Sequence, residues 1–177
     1  PRSQKKEIKM SYDIYIGQAI IEDISDEYSN EYTVRYRVKG NSVAEAPEFR
    51  GDNMTGKGNS RHPGYSQWSD FCNRHNLYNF FFDKEEGLMR EHPGCFKLTE
   101  YHTTIVRATL EKYQAILPTG TIPGTCMCEQ CASKNWCKND ELPHQDNLNY
   151  DLARLMWLDF WFRWALDNCK MPAIFNS

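Results

Sequence analysis

The chain has 177 residues, 40% of them hydrophobic and 25% charged, with a formal net charge of −3. That length suits one domain with a real core and is short for two. The slightly negative balance argues against bulk capture of DNA or RNA, leaving room only for a local basic patch.

Residues 1–10 read as a polar tail, and 11–177 as a single α+β domain. The basic start PRSQKKEIKM is followed by no apolar stretch of signal-peptide length, so a reducing cytoplasm is the expected compartment. A first strand is expected from about Tyr12 to Ile24, where Ile14 and Ile16 alternate with Asp13 and Tyr15. A second has Tyr32, Val34, Tyr36 and Val38 on one face and Thr33, Arg35 and Arg37 on the other. The polar SDEYSN between them suits a hairpin connection.

Residues 39–65 lose all periodicity and collect five glycines, which marks a long loop. Loops of that length in a compact domain are usually functional or disordered. A short helix is expected from about Ser66 to His75, with Trp68, Phe71 and Cys72 on one side. LYNFFF then reads as a buried strand or the end of that helix, and DKEEG as a turn. The next helix should start at Thr99 as N-cap, with Val106, Leu110, Tyr113 and Leu117 as its apolar stripe, and stop before Pro118. The last, about Asn149 to Asn168, is apolar over most of its surface. Its polar strip, Asp159, Arg163 and Asp167, is spaced for surface ion pairs. This segment comes nearest to the roughly 20 apolar residues of a membrane span. Asp151, Arg154, Asp159, Arg163 and Asp167 interrupt it, so no membrane is expected.

Between these two helices, 118–148 is a cysteine-rich loop. Cys126, Cys128, Cys131 and Cys137 read C-x-C-x2-C-x5-C. Spacing this tight strains separate local disulfides but wraps one tetrahedral ion, so a structural zinc is expected, its four thiolates closing the shell. Idle thiols, a redox pair, an iron–sulfur cluster, or His144 in place of one cysteine are the alternatives. Cys72, Cys95 and Cys169 lie elsewhere and read as small buried hydrophobes. The fold expected is thus α+β: an N-terminal β-hairpin packed on about three helices, with a zinc-stapled loop before a hydrophobic C-terminal helix.

GDNMTGKG at 51–58 approaches the phosphate-binding loop G-x4-G-K-[ST], but Gly58 stands where the magnesium-binding hydroxyl is required. The wider loop still has anion chemistry. Gly56 and Gly58 permit backbone approach, Lys57 and Arg61 supply charge, and Asn59 and His62 supply hydrogen bonds. Tyr65 or Trp68 would stack on a base. The competing reading is a solvated loop whose Asn and Ser satisfy their own turns. His62 and His92 each precede Pro-Gly, which suits two similar turns. As acid–base groups they would need a carboxylate such as Asp52, Asp70 or Glu91.

MSYDIYIG, GNSRHPGYSQWSDF, GLMREHPGC, the CxCxxC element and the terminal CKMPAIFNS give the chain a loose likeness over most of residues 10–177. It resembles small uncharacterised proteins encoded by bacteriophages and prophages. That resemblance implies a viral accessory role in a host cytoplasm and assigns no site residue. Three functions are therefore expected to compete. The first is a non-catalytic binding protein for a phosphate-bearing or nucleotide-like anion. The second is a hydrolase or transferase using His62 or His92 on a phosphorylated substrate. The third is an assembly protein with a protein partner or a second copy on an exposed aromatic face at 150–166.

Overall fold

The computed structural model describes residues 11–25, 32–49, 56–125 and 147–177. The polar tail, residues 51–55 and the four-cysteine element lie outside them. In chain order the elements are β1 (Ile14–Ser25), β2 (Tyr32–Val38), β3 (Ser60–Arg61), α1 (Tyr65–Arg74), α2 (Tyr78–Phe82), β4 (Gly94–Lys97), α3 (Glu100–Ile116), β5 (Ile122–Pro123), β6 (Leu148–Asn149), α4 (Tyr150–Asn168) and β7 (Pro172–Asn176).

β1 and β2 form the expected antiparallel hairpin, from Ala19 opposite Val38 to Ser25 opposite Tyr32. Only the second half of β1 is used this way. Its first half pairs with β7, Ile14 opposite Asn176 and Gln18 opposite Pro172, and with the short β3 on its other side. β4 pairs with the far edge of β7, giving the order β2-β1-β7-β4. The sheet curls, bringing β2 back toward β4 and β7. The domain is thus mixed α+β with a curled antiparallel sheet and, among the described residues, four helices. The sequence pattern points to the hairpin but not to β4 or β7, so the sheet is larger than expected.

The helices pack on the face carrying Ile14 and Ile16. α4 lies at the centre, with α3 along one side and β1 beneath it. It is apolar nearly all round because it is covered nearly all round. Leu155, Trp157, Leu158, Trp161, Phe162 and Ala165 are buried. Trp68, Phe71 and Phe81 complete that core from α1 and α2. Asn149 caps α4, its Oδ1 accepting from the Leu152 N–H at 2.8 Å. At the start of α3 the Thr99 N–H donates to His102 Nδ1 at 3.0 Å.

Two local expectations are corrected. LYNFFF is a separate helix, because Asn76 takes a left-handed conformation (φ 57°) that ends α1 and restarts the chain as α2. Asp159 is not part of a surface strip but buried. Its carboxylate accepts two bonds from Arg107 of α3, both 2.8 Å, and two from Arg163 at 2.9 and 3.3 Å.

Candidate functional site

The loop expected to hold an anion folds inward after residue 56. Gly58 is left-handed (φ 56°), and a Cβ there would collide with the Asn41 carbonyl. Asn59 is fully buried. Its Nδ2 donates to the Ile16 and Lys39 carbonyls at 3.0 and 2.9 Å, and its Oδ1 accepts from the Asn41 N–H. Arg61 is buried too, donating to the Gly58 and Ser60 carbonyls at 3.2 and 2.6 Å and stacking over Trp157. Gly58 also accepts from Trp157 Nε1 at 2.8 Å. These groups clamp the loop to β1 and α4 rather than presenting a free cradle. Gly56 and Lys57 stay exposed. Trp68 is wholly buried, and Tyr65 stacks on Tyr12 with centroids 4.2 Å apart.

The two histidines do not converge. β3 pairs with β1 so that Arg61 shares the core face of Ile14, which puts His62 on the other face beside Asp13, its Nδ1 2.6 Å from Oδ1. His92 sits on the core side, accepting from Tyr65 Oη at 2.9 Å and donating to Asn176 Oδ1 at 3.0 Å. They share no partner among the described residues, so no two-histidine acid–base pair is assembled there.

A polar cluster forms instead where α1 meets the first turns of α4. On α1, the 68/71/72 positions enter the core, while Gln67, Asp70 and Arg74, spaced by three and four, share the adjoining edge. α4 brings Tyr150, Asp151 and Arg154. Together these six line a cleft of about 240 Å³. Arg74 grips Asp151 with two bonds of 2.8 and 2.9 Å, and His75 Nε2 lies 2.7 Å from the same carboxylate. A carboxylate only accepts, so that nitrogen carries the proton. Burial alone would raise the Asp151 carboxyl. Hydrogen bonds and charge from His75 and Arg74 outweigh it and hold the group well below the usual range. Burial lowers the Arg154 guanidinium, opposed by Tyr150 and Asp151, and its fork lies 4.3 Å over the Tyr150 ring.

Behind the cleft, Arg61, Trp157, Arg154 and Tyr150 wall a void of about 10 Å³, at the limit of one water. Arg61, Arg154 and Arg74 therefore stand in a row along one end of α4. Of the residues expected at the site, only Arg61 joins this row. The others were not legible because α1 and α4 lie 77 positions apart at the Arg74–Asp151 contact. The available signal was charge within a mostly apolar helix, Asp151 and Arg154 in its first turns, since buried charges need partners.

Among the described residues no group of His, Cys, Asp and Glu is arranged to hold a metal. The cysteines proposed for zinc, Cys126, Cys128, Cys131 and Cys137, lie outside those residues. No helix there is long and apolar enough to cross a membrane. Compared with known proteins, the chain matches no family model, no curated protein and no solved structure.

Proposed function

We propose that this is a non-catalytic, viral accessory-type binding protein that takes a phosphate-bearing, nucleotide-like ligand in the cleft between α1 and α4. The observation that carries this is the convergence of Arg74 and Arg154 with Tyr150, Gln67 and Asp70 around one polar concavity. Guanidinium groups suit phosphate oxygens; Arg74 gives Nε and one Nη2 hydrogen to Asp151, so its other nitrogen, Nη1, is the donor proposed for phosphate. The Gln67 amide and Asp70 carboxylate offer a donor and acceptors of the kind that read a base edge, and Tyr150 offers a ring face. Arg61, first singled out in the loop, backs the cleft and adds positive potential. Asp151 is committed to Arg74 and His75, which takes it out of acid–base work and favours a binding role for the cleft. In this proposal the four cysteines hold a structural zinc.

Calorimetric titration with adenosine monophosphate, adenosine and inorganic phosphate tests the reading. The nucleotide is expected to bind more tightly than either part, and Arg74→Ala to weaken it roughly tenfold. No heat from the nucleotide, or equal affinity in the Arg74 variant, refutes it.

The second reading, a histidine-dependent enzyme, loses its main support because His62 and His92 occupy opposite faces of β1. The third, assembly through an aromatic face at 150–166, is disfavoured by the burial of that helix within its own chain.

A further inference from the structure

The curled sheet has a second face, turned away from the helices. Ala19, Val38 and Ala173 are buried on it, packed with Tyr15, Cys95 and Phe175. Farther along the same face Ile21, Val34 and Tyr36 are 59%, 53% and 43% exposed, and Met171 beside them 48%. Alternation along β1, and its register with β2, put Ala19, Ile21, Val34, Tyr36 and Val38 on one side. A hollow of about 340 Å³ opens here, where the curl brings β2 over β4 and β7. Ala19, Tyr36, Pro172 and Ala173 give it an apolar floor, and among the described residues its only charges are two exposed lysines, Lys97 and Lys170. Among the described residues no carboxylate pairs with either lysine. Burial pushes the Cys95 thiol up to about 11, so it is neutral at physiological pH.

We propose that this hollow binds a small amphipathic carboxylate, its apolar chain lying along Ala19, Tyr36 and Ala173 and its head paired with Lys97 and Lys170. The volume falls at the lower end of the roughly 300–1,000 Å³ typical of small-molecule sites, whose pattern is likewise an apolar lining with few polar anchors. The sign of the charge follows from the two lysines and from the absence of an acid among the described lining residues. A medium-length acyl chain is the occupant of fitting size. The site is separate from the arginine cleft and does not depend on it.

Octanoate is the probe, with octylamine as its cationic counterpart. In methyl NMR, octanoate is expected to shift the Ala19 and Ala173 signals saturably, leaving the α1–α4 cleft unmoved. Octylamine should produce no saturable shift. The Lys97→Ala/Lys170→Ala variant, whose substituted side chains are exposed, should keep its melting temperature and lose at least about tenfold in affinity. Lys97→Arg/Lys170→Arg should retain most of it. Absent saturation with octanoate, equal binding of octylamine, or undiminished binding by the double-alanine variant would each overturn the proposal. So would a stable dimer in sedimentation whose dissociation is needed before octanoate binds.

Discussion

Asn59 shows how much one side chain can fix. It meets two carbonyls and one backbone N–H from two separate stretches of chain, Ile16 and residues 39–41, so no smaller residue replaces it. Asn59→Ala would leave those groups unpaired, and a loss of roughly 2–4 kcal/mol is expected from urea unfolding. A loss under about 0.5 kcal/mol would mean that water takes its place. Asp151 carries a different signature. Its folded carboxyl is held below the ordinary range, so the unfolded chain binds that proton more readily. The stability it confers is complete above the unfolded carboxylate range and drains away as pH falls toward the folded value. Unfolding measured from about pH 6 down to pH 2 should show wild type losing about 2 kcal/mol more than Asp151→Asn over that interval. Parallel curves would show that the carboxylate is not specially held.

At the scale of elements, the join between α3 and α4 rests on Asp159 as well as on apolar packing. The carboxylate is nearly buried while Arg107 and Arg163 are about half-exposed, so solvent screens part of the attraction. Arg107→Ala is expected to cost about 1–2 kcal/mol, because it leaves Asp159 with one partner instead of two. A double-mutant cycle with Asp159→Ala should return a coupling energy well above the typical exposed pair, and a value near zero would refute the tie. The proposed zinc belongs to this scale too. Elemental analysis of untagged protein is expected to give about one zinc per chain, and chelation to lower the melting temperature and open 118–148 to protease. Metal-free protein with four reactive thiols and an unchanged melting temperature would end that proposal. Element positions were legible wherever period and cap agreed. β2, the start of α3 and the whole of α4 follow the sequence pattern, since apolar spacing, Thr99 and Asn149 each mark them locally. β4 and β7 were not legible. Each is short, and Pro172 and Gly94 at their starts carry no strand signal. Only pairing makes them strands, β7 with β1 and β4 with β7.

At the scale of the whole molecule, the same limit explains the candidate site. Composition and periodicity report which residues are apolar, but not which helix edges meet. The Arg74–Asp151 contact is a fact of packing, and the sequence carries only its symptom, charge within a mostly apolar helix. The order β2-β1-β7-β4 has a further consequence, for the history of each molecule. The ribosome delivers the hairpin first and β7 after every other described element. Until β7 emerges, the first half of β1 has only the short β3 beside it, and Ile14 and Ile16 have no finished core to enter. β4 likewise waits with an unpaired edge. Until β7 emerges, the nascent protein is therefore a hairpin and helices without a completed sheet, a state with open strand edges that suits aggregation and chaperone capture. A chain terminated just before Pro172 would lose the strand that joins the two halves of its sheet and should remain in that state, insoluble or chaperone-bound, however intact its helices.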